Sequence, residues 1–112
     1  MIYSDGEGQP GDEAGLKFEA TAEFVHWVDG LRDRHARARV LVQIDKMTMG
    51  NLGVVEPVGE GISEAKIDYG PGYRLYYKQK GLKMYLLLSG GNKSSQSRDI
   101  RRAKQLARSY GI

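Results

Sequence analysis

The spacing of apolar residues changes character along this chain. Between positions 21 and 49, apolar side chains recur every three or four residues: Phe24, Trp27, Val28 and Leu31, then Ala36, Val40, Leu41, Ile44 and Met47. That is the period of amphipathic helices. Thr21 can cap the first helix, which runs to about Asp29 and is broken by Gly30. The second is predicted from about Asp33 to Met49, with Asp33 near its start and Gly50 just past its end. Arg34, Arg37, Arg39 and Lys46 mostly cover its other side, and the two helices form a hairpin with a short connection. A short strand over residues 16–20 precedes them.

After Gly50 the texture becomes that of strands separated by Gly-bearing turns, over residues 54–57, 62–68, 73–79 and 83–89. Lys80-Gly81 suits a tight hairpin turn between the last two. Residues 84–88 are nearly all apolar, which predicts a central strand covered on both faces. Ser94 or Ser95 can cap a final helix to about Tyr110, with Ile100, Ala103, Leu106, Ala107 and Tyr110 inward. The fold class is α+β: an N-terminal strand and helical hairpin, a small, mainly antiparallel sheet, and a C-terminal helix. Residues 1–15, acidic and Gly-rich with little apolar content, are predicted to be a disordered tail ahead of a single domain over 16–112.

At 112 residues the chain can bury a core without staples. It has no cysteine, which excludes disulfides and thiolate metal sites. No apolar run approaches a membrane span, and the N-terminus lacks the layout of a secretion signal, so a soluble cytoplasmic protein is expected. Charge changes the picture more. Residues 1–30 carry one Lys against seven acids, a net of −6; residues 31–112 carry sixteen Lys/Arg against seven acids, a net of +9. The body is far more basic than the total of +3 suggests. It favours a polyanionic partner, nucleic acid or an acidic protein segment.

Strand parity locates candidate chemistry. Residues 62–68 separate Ser63, Ala65 and Ile67 from Glu64, Lys66 and Asp68, and residues 73–78 separate Tyr73, Leu75 and Tyr77 from Arg74, Tyr76 and Lys78. As antiparallel neighbours, the two polar sets share a face. Lys93 arrives at the end of the central strand in a Gly90-Gly91 turn. Cations and tyrosines on a sheet suit RNA, whose backbone is cleaved by its own 2′-hydroxyl given a base, phosphorane-stabilising cations and an acid, with no metal or other cofactor required. Lys66 could serve as base with Arg74 and Lys93 as cationic neighbours. Arg74 suits a bidentate phosphate contact, Lys93 adds charge, and Tyr76 could stack or donate a proton. The competing reading is a solvated face of cross-strand ion pairs. His26 and His35 lie in no ligand or acid–base spacing, and the glycines form no phosphate loop.

The segments Phe24-Val-His-Trp-Val-Asp-Gly-Leu-Arg-Asp, Gly61-Ile-Ser-Glu-Ala-Lys-Ile-Asp-Tyr-Gly-Pro-Gly-Tyr-Arg-Leu-Tyr-Tyr and Gly90-Gly-Asn-Lys-Ser-Ser-Gln-Ser-Arg-Asp-Ile resemble the RelE/ParE toxin superfamily, most closely its HigB-like addiction module killer branch. The resemblance covers residues 17–110. It implies the toxin of a type II toxin–antitoxin system: an endoribonuclease cleaving mRNA on the ribosome and silenced by a cognate helix-turn-helix antitoxin. Operator DNA is then met only through that antitoxin. By the same resemblance Arg74 matches a phosphate-binding arginine, Lys93 a catalytic cation, and Lys66 approximates a catalytic lysine. Tyr73, Tyr76, Lys78, Gln96 and Arg98 are the expected RNA contacts. One position departs: well-known ribosome-dependent members carry a tyrosine where this chain has Asp99, leaving the proton donor to Tyr73, Tyr76 or Tyr77. Because some members poison gyrase on the same fold, a ParE-like gyrase inhibitor and a non-toxic antitoxin-binding module stand as alternatives.

Overall fold

The computed structural model describes residues 2–4 and 15–112 of the chain. The elements run β1 (Ile2–Ser4), β2 (Lys17–Ala20), α1 (Ala22–Asp29), α2 (Arg34–Thr48), β3 (Val54–Gly59), β4 (Ile62–Ile67), β5 (Tyr73–Gly81), β6 (Met84–Asn92), a single 3₁₀ turn (Lys93–Ser95) and α3 (Gln96–Ser109). The six strands form one sheet in the order β1-β2-β6-β5-β4-β3. All pairings are antiparallel except β2 with β6. The α+β class expected from the apolar spacing is the class observed. Among the described residues no helix is long and apolar enough to cross a membrane.

Helix starts follow from their caps. The Thr21 hydroxyl accepts from the Phe24 amide (3.0 Å) and donates to the Leu88 carbonyl (2.7 Å), so one side chain starts α1 and ties it to the central strand. Asp33 accepts from the amides of His35 and Ala36 at 2.9 and 3.2 Å to start α2. Its other oxygen accepts from the Tyr69 hydroxyl at 3.0 Å. The Tyr69 bond, then the Ala36 amide, holds this carboxyl below the usual carboxylate range.

The sheet is covered on both faces, as the apolar run of β6 requires. On one face α1 and α2 bury Phe24, Val28, Val40, Ile44 and Met47 against Phe18, Leu75, Tyr77 and Leu87. On the other, α3 buries Ala103, Leu106 and Ala107 against Ile62, Tyr76, Leu86 and Leu88. Each fully buried leucine of β6 contributes about 1.5–3 kcal/mol by leaving water.

Four local expectations are corrected. The predicted tail includes a strand: Ile2–Ser4 pairs antiparallel with β2, while residues 5–14 lie outside the described residues. The β5–β6 turn falls on Leu82-Lys83 rather than Lys80-Gly81, because the ladder continues to the Gly81–Met84 pair and Lys83 takes a left-handed φ of 57°. Gly90 and Gly91 belong to β6 instead of a turn. Asn92, rather than Ser94 or Ser95, makes the cap before α3, its side chain accepting from the amides of Ser94 (2.9 Å) and Ser95 (3.3 Å).

Candidate functional site

The register brings the polar sets together as parity suggests. Lys66 lies opposite Arg74, Glu64 opposite Tyr76, and Ile62 opposite Lys78. Arg74 in turn lies opposite Gly91 of β6, so Lys93 follows two residues later at the same end of the sheet. There Lys66, Arg74 and Lys93 line one open groove of about 310 Å³, together with Asp68, Tyr73 and Val54.

Arg74 is fixed from behind. Its Nε lies 3.6 Å from Glu64 Oε1, and its Nη1 donates to the Gly72 carbonyl at 2.9 Å. Glu64 is wholly buried, and its other oxygen accepts from Gln96 Nε2 of α3 at 2.9 Å. A buried carboxylate is tolerated only with a counter-charge and hydrogen bonds, so Glu64 requires Arg74 and Gln96 as much as it holds them. The guanidinium has five N–H groups. One is directed to Gly72 and one faces Glu64, and the side chain, 11% exposed, meets the groove as part of its lining.

Lys66 has an anionic neighbour as well as cationic ones: its Nζ is 3.0 Å from Glu56 on β3. The base role expected for it presupposed cations alone. Lys93 is exposed at the start of the 3₁₀ turn. Tyr73 is 9% exposed and packs towards α1, its ring 6.3 Å from Trp27 and 6.5 Å from Tyr69. It forms a wall of the groove.

The other expected RNA contacts are placed elsewhere. Tyr76 is fully buried beneath α3 and cannot stack on a base. Burial, reinforced by the nearby Glu64 carboxylate, pushes its phenol well above the ordinary range, and its hydroxyl makes no hydrogen bond with the described residues. Gln96 is committed to Glu64. Lys78, at the far end of the polar face, packs beside Gly61. Arg98 is exposed but lines a neighbouring groove that Lys93 shares. Asp99, at the position of the missing tyrosine, turns inward. Its carboxylate accepts from the Ser95 hydroxyl and sits against Gly91. A Cβ at Gly91 would overlap that carboxylate, and one at Gly90 would overlap the Trp27 ring. These two glycines thus serve packing on opposite faces of β6.

Two features escape a reading by residue type. Glu64 belongs to the same parity set as Lys66, but nothing local says that α3 will bury one and spare the other. Asp68 ends that set and lines the groove, carrying the proton acceptor that the cations lack.

No family model matches the chain. A protein of Haemophilus influenzae (strain ATCC 51907 / DSM 11121 / KW20 / Rd), described only as uncharacterized, is 37% identical over 97 residues, spanning 87% of this chain and 98% of that protein. Similarity of that extent over nearly the whole of both sequences places this chain in the same family as the Haemophilus influenzae protein.

Proposed function

We propose that this protein is a RelE/HigB-type toxin that cleaves RNA at the groove formed by Lys66, Arg74 and Lys93. The observation that carries this reading is the convergence of three cations from three separate segments on one groove, with Arg74 braced by a buried carboxylate. Such bracing fixes a guanidinium fork in advance of phosphate binding, which is worth most when charge develops on the phosphorane.

The roles follow from the groups present. The Asp68 carboxylate accepts the proton of the 2′-hydroxyl, whose oxygen attacks the adjacent phosphorus. Arg74 and Lys93 hold the phosphoryl oxygens. As the bond to the 5′-oxygen breaks, the Lys66 ammonium gives that oxygen a proton, leaving a 2′,3′-cyclic phosphate and a 5′-hydroxyl. The chemistry no longer needs a tyrosine at position 99.

Expression in a translating extract, followed by mapping of transcript ends, tests the reading. New ends within coding regions, lost in Lys93→Ala, are expected. Arrested translation with intact transcripts, or trapped gyrase complexes, would move the assignment to the non-catalytic alternatives.

A further inference from the structure

A groove larger than the one that holds the three cations lies beside it. It measures about 520 Å³ and lies between α2 and the β3–β4 edge, with His35, Arg39 and Lys46 on the helix side and Val42 and Val54 as apolar floor. Its lining also includes Lys66, Ile67 and Asp68, which it shares with the three-cation groove. That groove in turn shares Lys93 with a third, of about 420 Å³, which includes Arg98 and Arg101 at the start of α3. The three depressions are thus neighbours linked by shared lining residues. Cations line each of them, and the groove assigned to cleavage occupies the middle.

We infer that these depressions form one track for an extended single strand of RNA, with the α2 groove a separate subsite for nucleotides flanking the cleaved bond. The inference rests on the RNA reading of the central groove and adds a substrate requirement to it: length. Three observations favour a nucleic-acid strand over an acidic peptide. Cations recur on both sides of the central groove, as a repeating phosphate charge demands. The Arg39 guanidinium lies 4.5 Å from the centre of the Tyr69 ring, giving a flat cationic and aromatic surface beside the α2 groove. The exposed Val42 and Val54 offer apolar contact to base faces in the same groove that carries the charge. Glu56 and Asp68 are the acids near the junction; Glu56 is occupied with Lys66, and Asp68 sits where a proton acceptor is needed.

The test uses the full chain and 2′-O-methyl oligonucleotides, which bind without being cleaved, read by fluorescence anisotropy. A strand of about twelve nucleotides should bind at least about tenfold more tightly than a trinucleotide, with a steeper salt dependence. The Arg39→Gln/Lys46→Gln double variant should lose about tenfold on the long strand and reduce its salt slope, leaving trinucleotide binding unchanged. Arg37→Gln/Lys83→Gln removes the same charge away from the three grooves and should change neither. Equal affinity for both lengths, or equal losses in the two double variants, would overturn the track. So would an acidic peptide that binds through Arg39 and Lys46 while the long strand ignores them. The two readings fail separately. Length-dependent binding with transcripts left intact in a translating extract retains the track and removes the nuclease; transcript cleavage with no dependence of binding on length does the reverse.

Discussion

Glu64 and Lys66 are two residues apart on β4, on the same face, and each lies opposite a side chain of β5 on that face. Glu64 and its partner Tyr76 are wholly buried, whereas Lys66 and its partner Arg74 line an open groove. The boundary is drawn by the first turn of α3. Gln96 reaches Glu64, and Asp99 seats against Gly91, so the helix covers one pair and stops short of the other. One polar face thus has a closed half beneath α3 and an open half that lines the proposed RNA site. Arg74 belongs to both, its Nε facing the buried carboxylate while its side chain also lines the groove. At this residue the proposed site and the core share one side chain.

That dual membership can be broken directly. Arg74→Leu should destabilise the fold by about 3–5 kcal/mol, because it strands a buried charge. Glu64→Gln should return a large part of that loss in the double variant, as measured by urea unfolding. Simple additivity of the two substitutions would dissolve the coupling between the halves. Removing a cation from the open half alone should separate activity from folding. Lys93→Ala is expected to lower RNA cleavage by about 100-fold or more with an unchanged urea midpoint. A shifted midpoint with normal cleavage would place Lys93 in the structural half.

Smaller effects test the closed half. Gly91→Ala forces the Asp99 carboxylate and the Ser95 hydroxyl aside, at a cost of about 1–3 kcal/mol read from thermal melting. Tyr76→Phe removes a buried hydroxyl that makes no hydrogen bond with the described residues, so stability at neutral pH should change by less than about 1 kcal/mol. Its signature lies in alkali. Burial raises the phenol in the folded state, whereas an unfolded tyrosine ionises near pH ~10. Above that pH the unfolded chain releases a proton that the folded chain retains, so stability falls as pH rises. The variant should fall less steeply over that range; an identical alkaline limb would mean that Tyr76 is reached by water.

The elements were largely legible in the sequence because caps and periods agree: Thr21 and Asp33 stand where α1 and α2 begin, and the apolar run of β6 is covered on both faces. Parity also groups Lys66 and Arg74 on one face, as the β4–β5 register has them. It could not say how far α3 would extend over the face they share, since that depends on a long-range bond from Gln96 to Glu64. Residue type therefore suggests ligand contacts for Tyr76 and Gln96, whereas Tyr76 lies in the interior and Gln96 is tied to Glu64. The Gly90-Gly91 pair looked like a turn for a related reason. Glycine marks either a bend or a close approach, and only the positions of Trp27 and Asp99 distinguish them. The strand at Ile2–Ser4 carries too few apolar residues to stand out from its acidic surroundings.

The parallel pairing of β2 with β6 bears on when this protein becomes able to act. Lys17–Ala20 must wait for Met84–Leu87 before it has a neighbour on that side, and the Thr21 hydroxyl for the carbonyl of Leu88. Contacts of such long sequence separation are late and cooperative in folding. Lys93 and Gln96, which complete the groove and brace Arg74 through Glu64, come later still in synthesis. A growing chain therefore carries the α1–α2 hairpin early but cannot assemble the site until Lys93 and Gln96 have been made. On the proposed reading, RNA cleavage would begin only after Lys93 and Gln96 have joined the fold.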